Sequence, residues 1–524
     1  SGLPTYQTGE EFSIEEATNS KNENSTALPS YFKEFISYFH RSVCKNQVAD
    51  IHSVYENSIN KITAKLFSES RWPSVDKIAP LVKNDEQFQI LYQEIYFRHI
   101  YSKLQPTTEE RIASWNNYNK LFGIFLDAEK PIDLELPEQW LWDMIDEYIY
   151  QFQNFHMAKL KNKKNADFVD LLTNHPDVWS VTILLSNLNR LAEKTGMVGE
   201  SKNSENLFAA SSSYSALANF SVIGLLRVHS LLGDFNVALE TLNPIDLSRK
   251  SKGVHTKVTA CHITLYYYMG FSFMILRRYS DAIRTFSSIL LFISRIERHH
   301  TRSYQYEEIL KKTEQMYSLL AICLALCPEN IDEHVQQLLT EKLGDKLYSL
   351  NKHDLKTFDE LFAFSCPKFI NPTLTESEDS KEFNFTAARH KELFLAEVKQ
   401  QSILPVIRSY LKLYTSIPMP KLAKFLQMEE NELRGKLLCV CHKNSGFVVS
   451  PGQNVASGVL QLSSDIHFHV EENMIKIDDV QPVQQISNKF LDLIEKFDVI
   501  TAKLENYQFY ANHQGAINIK NSSK

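Results

Sequence analysis

Residues 401–479 constrain this chain most. Three short amphipathic helical patterns, over 402–415, 421–427 and 430–441, precede a segment of different periodicity. There Ile466, Phe468 and Val470 alternate with polar residues, and Ile475 and Ile477 do so again after Glu471-Glu472-Asn473. Period-two alternation on both sides of a polar turn predicts a β-hairpin. Three helices followed by a hairpin are the pattern of a winged helix, an elaborated helix-turn-helix. Residues 416–420 read as the turn between the first two helices, and a polar loop leads from the third helix to Asp465.

A winged helix raises DNA first. The third helix opens Glu429-Glu430-Asn431-Glu432-Leu433-Arg434. Nucleic-acid affinity rests on Lys and Arg neutralising phosphates, and three carboxylates at that point oppose it. The same acids complement the positive end of the helix dipole. The charge sign therefore favours a winged helix that binds protein or packs internally.

The 524 residues predict about three domains. A composition that is 43% hydrophobic and 23% charged is that of a globular chain able to bury a large core. The net charge of −7 argues against a general polyanion binder. Seven scattered cysteines form no CxxC pair, so reduced, buried thiols in the cytosol or nucleus are expected rather than a disulfide framework. No signal-peptide pattern and no run of about eighteen apolar residues is apparent. The longest candidate, 263–276, ends in Arg277-Arg278 and reads as a buried helix.

Along the chain, residues 1–29 are polar and acidic and are expected to be disordered. Helical periodicity runs over 30–192. Ile51, Tyr55, Ile59, Ile62 and Leu66 mark one stripe, and Leu136-Pro137-Glu138 marks a helix start. Residues 193–215, rich in Ser, Asn, Gly and Lys, read as a linker. In the following part, 216–400, Gly233-Asp234-Phe235 to Ala238 and Arg277-Arg278-Tyr279 to Ala282 repeat with a spacing of 44 residues. This is a tetratricopeptide-like helix pair with an unusually long period, and it predicts a solenoid. After the winged helix (401–480), a helix over 481–510 carries Ile486, Phe490, Leu493, Phe497, Ile500, Leu504 and Tyr507 in alternating gaps of four and three. That heptad seam either folds back on its own domain or meets a partner helix, and its terminal position and length favour the partner. A polar tail, 511–524, closes the chain.

Chemistry leaves little trace. There is no Walker loop, GxGxxG, HExxH or GxSxG. Cys439-Val440-Cys441-His442 lacks a second ligand pair, and Cys323 and Cys327 lie one helical turn apart among apolar residues. The run from Asp143 to Glu147 has the residues for acid–base work, but it also reads as one face of an amphipathic helix. No catalytic, cofactor-binding or metal-ligating residue is assigned. Arg295, Arg298, Arg302, Lys311 and Lys312, around His299-His300, form a basic cluster that reads first as a solvated helix end and otherwise suits RNA or an acidic partner.

Helical repeats leading into a winged helix and a terminal helix resemble the PCI-domain proteins of the proteasome lid, the COP9 signalosome and eukaryotic translation initiation factor three. Five long strings, in order, resemble the L-subunit family of that initiation factor. They are YFKEFISYFH (31–40), EQWLWDMIDEYIYQFQ (138–153), VIGLLRVHSLLGDF (222–235), RRYSDAIRTFSSILL (277–291) and LPVIRSYLKLYTSIPMPKLAKF (404–425). The resemblance covers about 31–510 and departs at the N-terminus, at 193–213 and at 371–385. It implies a mainly α, non-catalytic, cytoplasmic scaffold without cofactor or membrane attachment. Its expected neighbours are the K and E subunits, and the assembled complex would contact the small ribosomal subunit. It also implies joining through the hairpin, with Ile466, Phe468, Val470, Ile475 and Ile477 as edge residues, and through a bundle of terminal helices. A directly RNA-contacting repeat protein, or a lid or signalosome subunit, is the alternative.

Overall fold

The computed structural model describes residues 29–162, 174–198, 207–247, 253–296, 306–372, 385–443, 445–448, 458–462 and 466–479, and most of 490–504. Residues 1–28, the tail 511–524, Arg298, Arg302, Ile486 and Tyr507 lie outside these. The chain divides into two compact units, 1–399 with 449–458, and 400–448 with 459–524.

The first unit is helical. Its opening helices include Ser30–Cys44, Glu86–Lys103, Thr108–Leu126 and Glu138–Lys161, and the second and third start at side-chain caps. Asp85 accepts from the backbone of Gln87 and Phe88. Thr107 and Glu110 form a reciprocal capping box, and Pro137 precedes Glu138. The stripe from Ile51 runs through helices Val48–Ser53 and Ile59–Leu66, joined by a π-helical turn, Val54–Ser58. Large rings fill the space between these helices. Trp140 stacks on Tyr55 at 5.3 Å between centroids, and Phe39 lies 5.7 Å from the same indole.

Helix Ser212–Leu232 is the hub. It is apolar nearly all round, with mean hydropathy 1.4 over an 18-residue window that is 78% buried. A helix apolar on every face requires neighbours on every face. It packs on Glu138–Lys161, Val181–Lys194 and Thr259–Ile275. Gly224 permits the close approach, since a Cβ there would lie 3.0 Å from Ile145. One hydrophobic core consequently runs from Phe32 to Val398. The expected division at 193–215 is thus a connection between helices that share a core, not a gap between two cores.

The 44-residue repeat is a real structural repeat. Helix Ser212–Leu232 turns at Gly233 into Phe235–Glu240, and helix Thr259–Ile275 turns at Arg277 into Tyr279–Ile296. Gly233 (φ 92°) and Arg277 (φ 63°) occupy the same left-handed position at the two turns. Glycine adopts it freely, and Arg277 does so at some cost. Phe235 and Tyr279 are both buried, as are Ala238 and Ala282, which let the helices approach. The stack continues through Tyr306–Leu326, Glu333–Asn351 and Leu355–Ser365.

The second unit holds the winged helix. Helices Leu404–Leu411, Met419–Leu426 and Glu430–Lys443 enclose a core that includes Ile407, Leu411, Leu422, Leu433, Leu437 and Val440. The chain adds strands β1 (Ser416–Pro418), β2 (Ser445–Val448), β3 (Val459–Leu462), β4 (Ile466–Glu471) and β5 (Met474–Asp479). β4 and β5 form the expected hairpin, with Phe468 opposite Ile477 and Val470 opposite Ile475. Two local expectations need correction. Residues 416–418 are not only a turn but a third strand, antiparallel to β5, with Ile417 opposite Ile475. The polar loop before the hairpin contains the two-stranded sheet β2–β3. Both were hidden because three- and four-residue strands are too short to show alternation.

Candidate functional site

The third helix of the winged helix does not present a basic face. Its first turn carries Glu430 and Glu432. Lys436 pairs with Glu432 at 2.7 Å, one turn back. Arg434 turns toward the hairpin, where its Nη2 donates to Asn473 Oδ1 at 2.6 Å and to the Glu472 carbonyl at 3.3 Å. Arg434 and Lys436 are therefore engaged within the fold, and the other basic residues of this helix, His442 and Lys443, lie in its last turn. The charge argument against nucleic acid holds in three dimensions, and the role of Arg434 as a clamp had no signal in the sequence.

In the sheet order β1-β5-β4, strand β4 is paired on one side only among the described residues. The side chains proposed as an interface edge divide. Ile466, Phe468 and Ile475 are buried in the winged-helix core, and Ile477 is half-buried. Only Val470, near the turn, is exposed, at 41%. The alternation that predicted the hairpin thus marks its inner face. What β4 offers outward is its backbone edge, with His467 half-buried and His469 and Glu471 exposed on the opposite face. Lys476 hydrogen-bonds Glu471 and holds that carboxyl below its usual range.

The terminal helix is described over most of 490–504. Phe490 (62%), Leu493 (47%), Phe497 (65%), Ile500 (50%) and Leu504 (60%) are all exposed. Leu491, Ile494 and Val499 are exposed too, so apolar side chains spread beyond the seam. Large apolar residues of this kind each gain about 1.5–3 kcal/mol on full burial. A contiguous stripe of that size is the mark of an interaction surface. The winged helix adds Leu413, Leu438 and Phe447, also exposed.

The basic cluster is only partly a surface. Arg295 and Lys311 are exposed. Lys312 turns inward, with its ammonium 3.9 Å from the centre of the Tyr267 ring. Burial, with Arg227 nearby, pushes that ammonium down to about 7. It is a core cation held over aromatic faces, not a phosphate contact.

Of the 143–147 run, Asp143 and Glu147 lie beside the buried Glu94, whereas the Asp146 side chain is 38% exposed. Glu94 is fully buried, and its carboxyl receives Trp140 Nε1 at 3.1 Å and an ion pair from Arg98. Asp143 accepts from Tyr55 at 2.6 Å and from Gln139 at 2.9 Å. Burial pushes Glu94 well above the usual carboxylate range and Glu147 up to about 7. Protein donors occupy these oxygens, so the network serves packing and orientation. The cysteines also depart from expectation. Cys261 and Cys323 are buried, but Cys44 and Cys441 are exposed. Among the described residues, Cys439, Cys441 and His442 do not converge into a three-ligand group.

Stacked helix pairs, a winged helix with a one-sided hairpin edge and an exposed apolar terminal helix define a helical-repeat protein of the PCI class. Comparison with known proteins makes this specific. A family model described as "RNA polymerase I-associated factor PAF67" matches residues 110–497. The chain is 43% identical to the "Eukaryotic translation initiation factor 3 subunit L" of Nematostella vectensis, over 91% of this chain and 93% of that relative. It is 40% identical to the Homo sapiens protein of that name, over 91% of each chain. It is likewise 40% identical to the Danio rerio protein, over 91% of this chain and 89% of the relative. The chain belongs to the eukaryotic translation initiation factor 3 subunit L family.

Proposed function

We propose that the chain is a non-catalytic scaffold subunit of the cytoplasmic translation initiation factor three complex. The carrying observation is the exposed seam Phe490, Leu493, Phe497, Ile500 and Leu504. Its heptad spacing fits a bundle of terminal helices, with Ile486 and Tyr507 extending it in sequence. The one-sided edge of β4 supports a second junction, by strand addition to a neighbouring winged helix. The K and E subunits are the neighbours proposed for these two surfaces, and the assembled complex would carry the chain to the small ribosomal subunit. In domain terms, 30–192 is an N-terminal helical domain, 193–215 its connection to the helical-repeat part 216–400, 401–480 the winged helix and 481–510 the bundle helix.

Affinity purification of the tagged full chain and of a version ending at Asp479 tests this. The full chain is expected to bring down initiation factor subunits and the shortened one to lose most of them. Recovery of lid or signalosome subunits, or of none, would overturn the reading. Recovery by both versions would move assembly to the hairpin and the repeats. Direct RNA contact has Arg295 and Lys311 for support. RNA binding by the isolated chain that is absent, or insensitive to salt, would remove it.

A further inference from the structure

A second cluster lies far from both assembly surfaces in sequence. His40 and Cys44 sit one turn apart on helix Ser30–Cys44 and so share a face. Asp85, the N-cap of helix Glu86–Lys103, meets them there. His40 Nε2 is 3.1 Å from Asp85 Oδ2, Cys44 Sγ is 3.4 Å from His40 Nε2, and Cys44 Sγ is 3.8 Å from Asp85 Oδ2. One imidazole nitrogen, one sulfur and one carboxylate oxygen therefore make a closed triangle.

The size of that triangle is informative. Zinc binds nitrogen and oxygen at about 2.0–2.2 Å and sulfur at about 2.3 Å, in a tetrahedron. One face of such a tetrahedron, with one ligand of each kind, has edges of about 3.3–3.6 Å. The three observed edges lie within a few tenths of an ångström of that. The ligands are also held from outside. Asp85 Oδ1 accepts from the Gln87 and Phe88 amides at 3.1 and 3.3 Å, which leaves Oδ2 for the triangle. The His40 ring stands edge-on to Phe88, 5.0 Å between centroids at 82°. Fixed outer contacts of this sort orient metal ligands. Cys44 is exposed, so the fourth position opens to water.

We propose that His40, Cys44 and Asp85 form a site for a zinc-class divalent ion, with three protein ligands and a water. The thiol loses its proton to solvent on binding, and the ion takes its place between the three atoms. A thiolate with an imidazole selects zinc over magnesium or calcium. The bound ion would tie the first helix to the start of a helix 41 residues on from Cys44, adding to the packing of Phe39 and His40 on Phe88.

The test is a cobalt(II) titration of the purified full chain, followed by near-ultraviolet thiolate-to-metal charge transfer. One cobalt per chain is expected. The band should vanish in Cys44→Ser and persist in Cys441→Ser, which controls for the other exposed thiol. Affinity should fall at least about tenfold in His40→Gln and in Asp85→Asn. Asparagine caps a helix as well as aspartate does, so Asp85→Asn removes the ligand and keeps the fold even if another variant proves unstable. Zinc should raise the Tm of the native chain and not that of Cys44→Ser. Absence of a thiolate band in the native chain, or a band that survives Cys44→Ser, would overturn the proposal and leave a helix-cap ion pair beside a free thiol.

Discussion

Arg434 Nη2 donates to Asn473 Oδ1 across 2.6 Å and so fastens the third helix of the winged helix to the turn between β4 and β5. The same guanidinium reaches the Glu472 carbonyl, on a residue held at φ 53°. The Asn473 carbonyl in turn accepts the Met419 amide at 2.8 Å. The turn is thereby anchored to two helices, and β4 keeps its one-sided edge in a set position.

Arg434→Ala is expected to loosen that turn. An exposed charge-assisted hydrogen bond contributes about 1 kcal/mol. Hydrogen exchange at the β4 and β5 amides should therefore quicken about fivefold, with exchange in the Ser212–Leu232 helix unchanged. Uniform protection of the hairpin in the variant would show that Arg434 is not a clamp.

Phe468 and Val470 lie on one face of β4, yet the first is buried and the second exposed. Phe468→Ala should destabilise the winged helix by about 3–5 kcal/mol. Val470→Ala should change it by no more than about 0.5 kcal/mol. Chemical denaturation of the two variants compares them directly. Equal costs would mean that the alternating residues do not divide between core and surface as the structure places them.

Burial that pushes Glu147 up to about 7 has a defined consequence for stability against pH. The folded state binds a proton between the ordinary glutamate range and pH 7 that the unfolded state has released. Its contribution to stability is therefore present at low pH and is lost as pH rises through that window. His156 and His262, pushed down to about 4 by burial, act in the opposite direction over part of the same window. The informative quantity is the difference between native and Glu147→Gln. The variant should gain relative stability from about pH 4.5 to about pH 7, and a flat difference would exclude a raised Glu147.

Two glycine substitutions should differ in sign. A Cβ on Gly270 would lie 2.6 Å from the Phe286 ring, between the paired helices of the second repeat. Gly270→Ala is expected to cost about 1–3 kcal/mol through overpacking. Gly435, on the exposed face of the third winged-helix helix, meets nothing within 4 Å. Gly435→Ala should stabilise by about 0.5–1 kcal/mol through helix propensity. Thermal unfolding of each variant measures both.

The winged helix, the repeat and the terminal seam were all legible as periodicity. Phe235 and Tyr279 announced the repeat, and the structure adds that Gly233 and Arg277 share one backbone conformation there. The inward direction of Ile466 and Phe468 was the weak point. Alternation tells which residues share a face of a strand, not whether that face meets a core or a partner. Lys312 illustrates the same limit. Its place in a basic run said nothing about the Tyr267 ring beneath it.

The sequence by itself determined what depends on neighbours a few residues apart. That includes where helices begin at Asp85 and Thr107, where the chain reverses at Gly233, and which positions form a heptad seam. Tertiary structure decided what depends on residues far apart in the chain. Cys44 meets Asp85 across 41 residues, Arg434 meets Asn473 across 39, and the helices on both sides of 193–215 share one core. Periodicity and capping are short-range and can be read along the chain. Long-range pairing is set by which apolar faces bury each other, and that choice is made only when the whole chain packs.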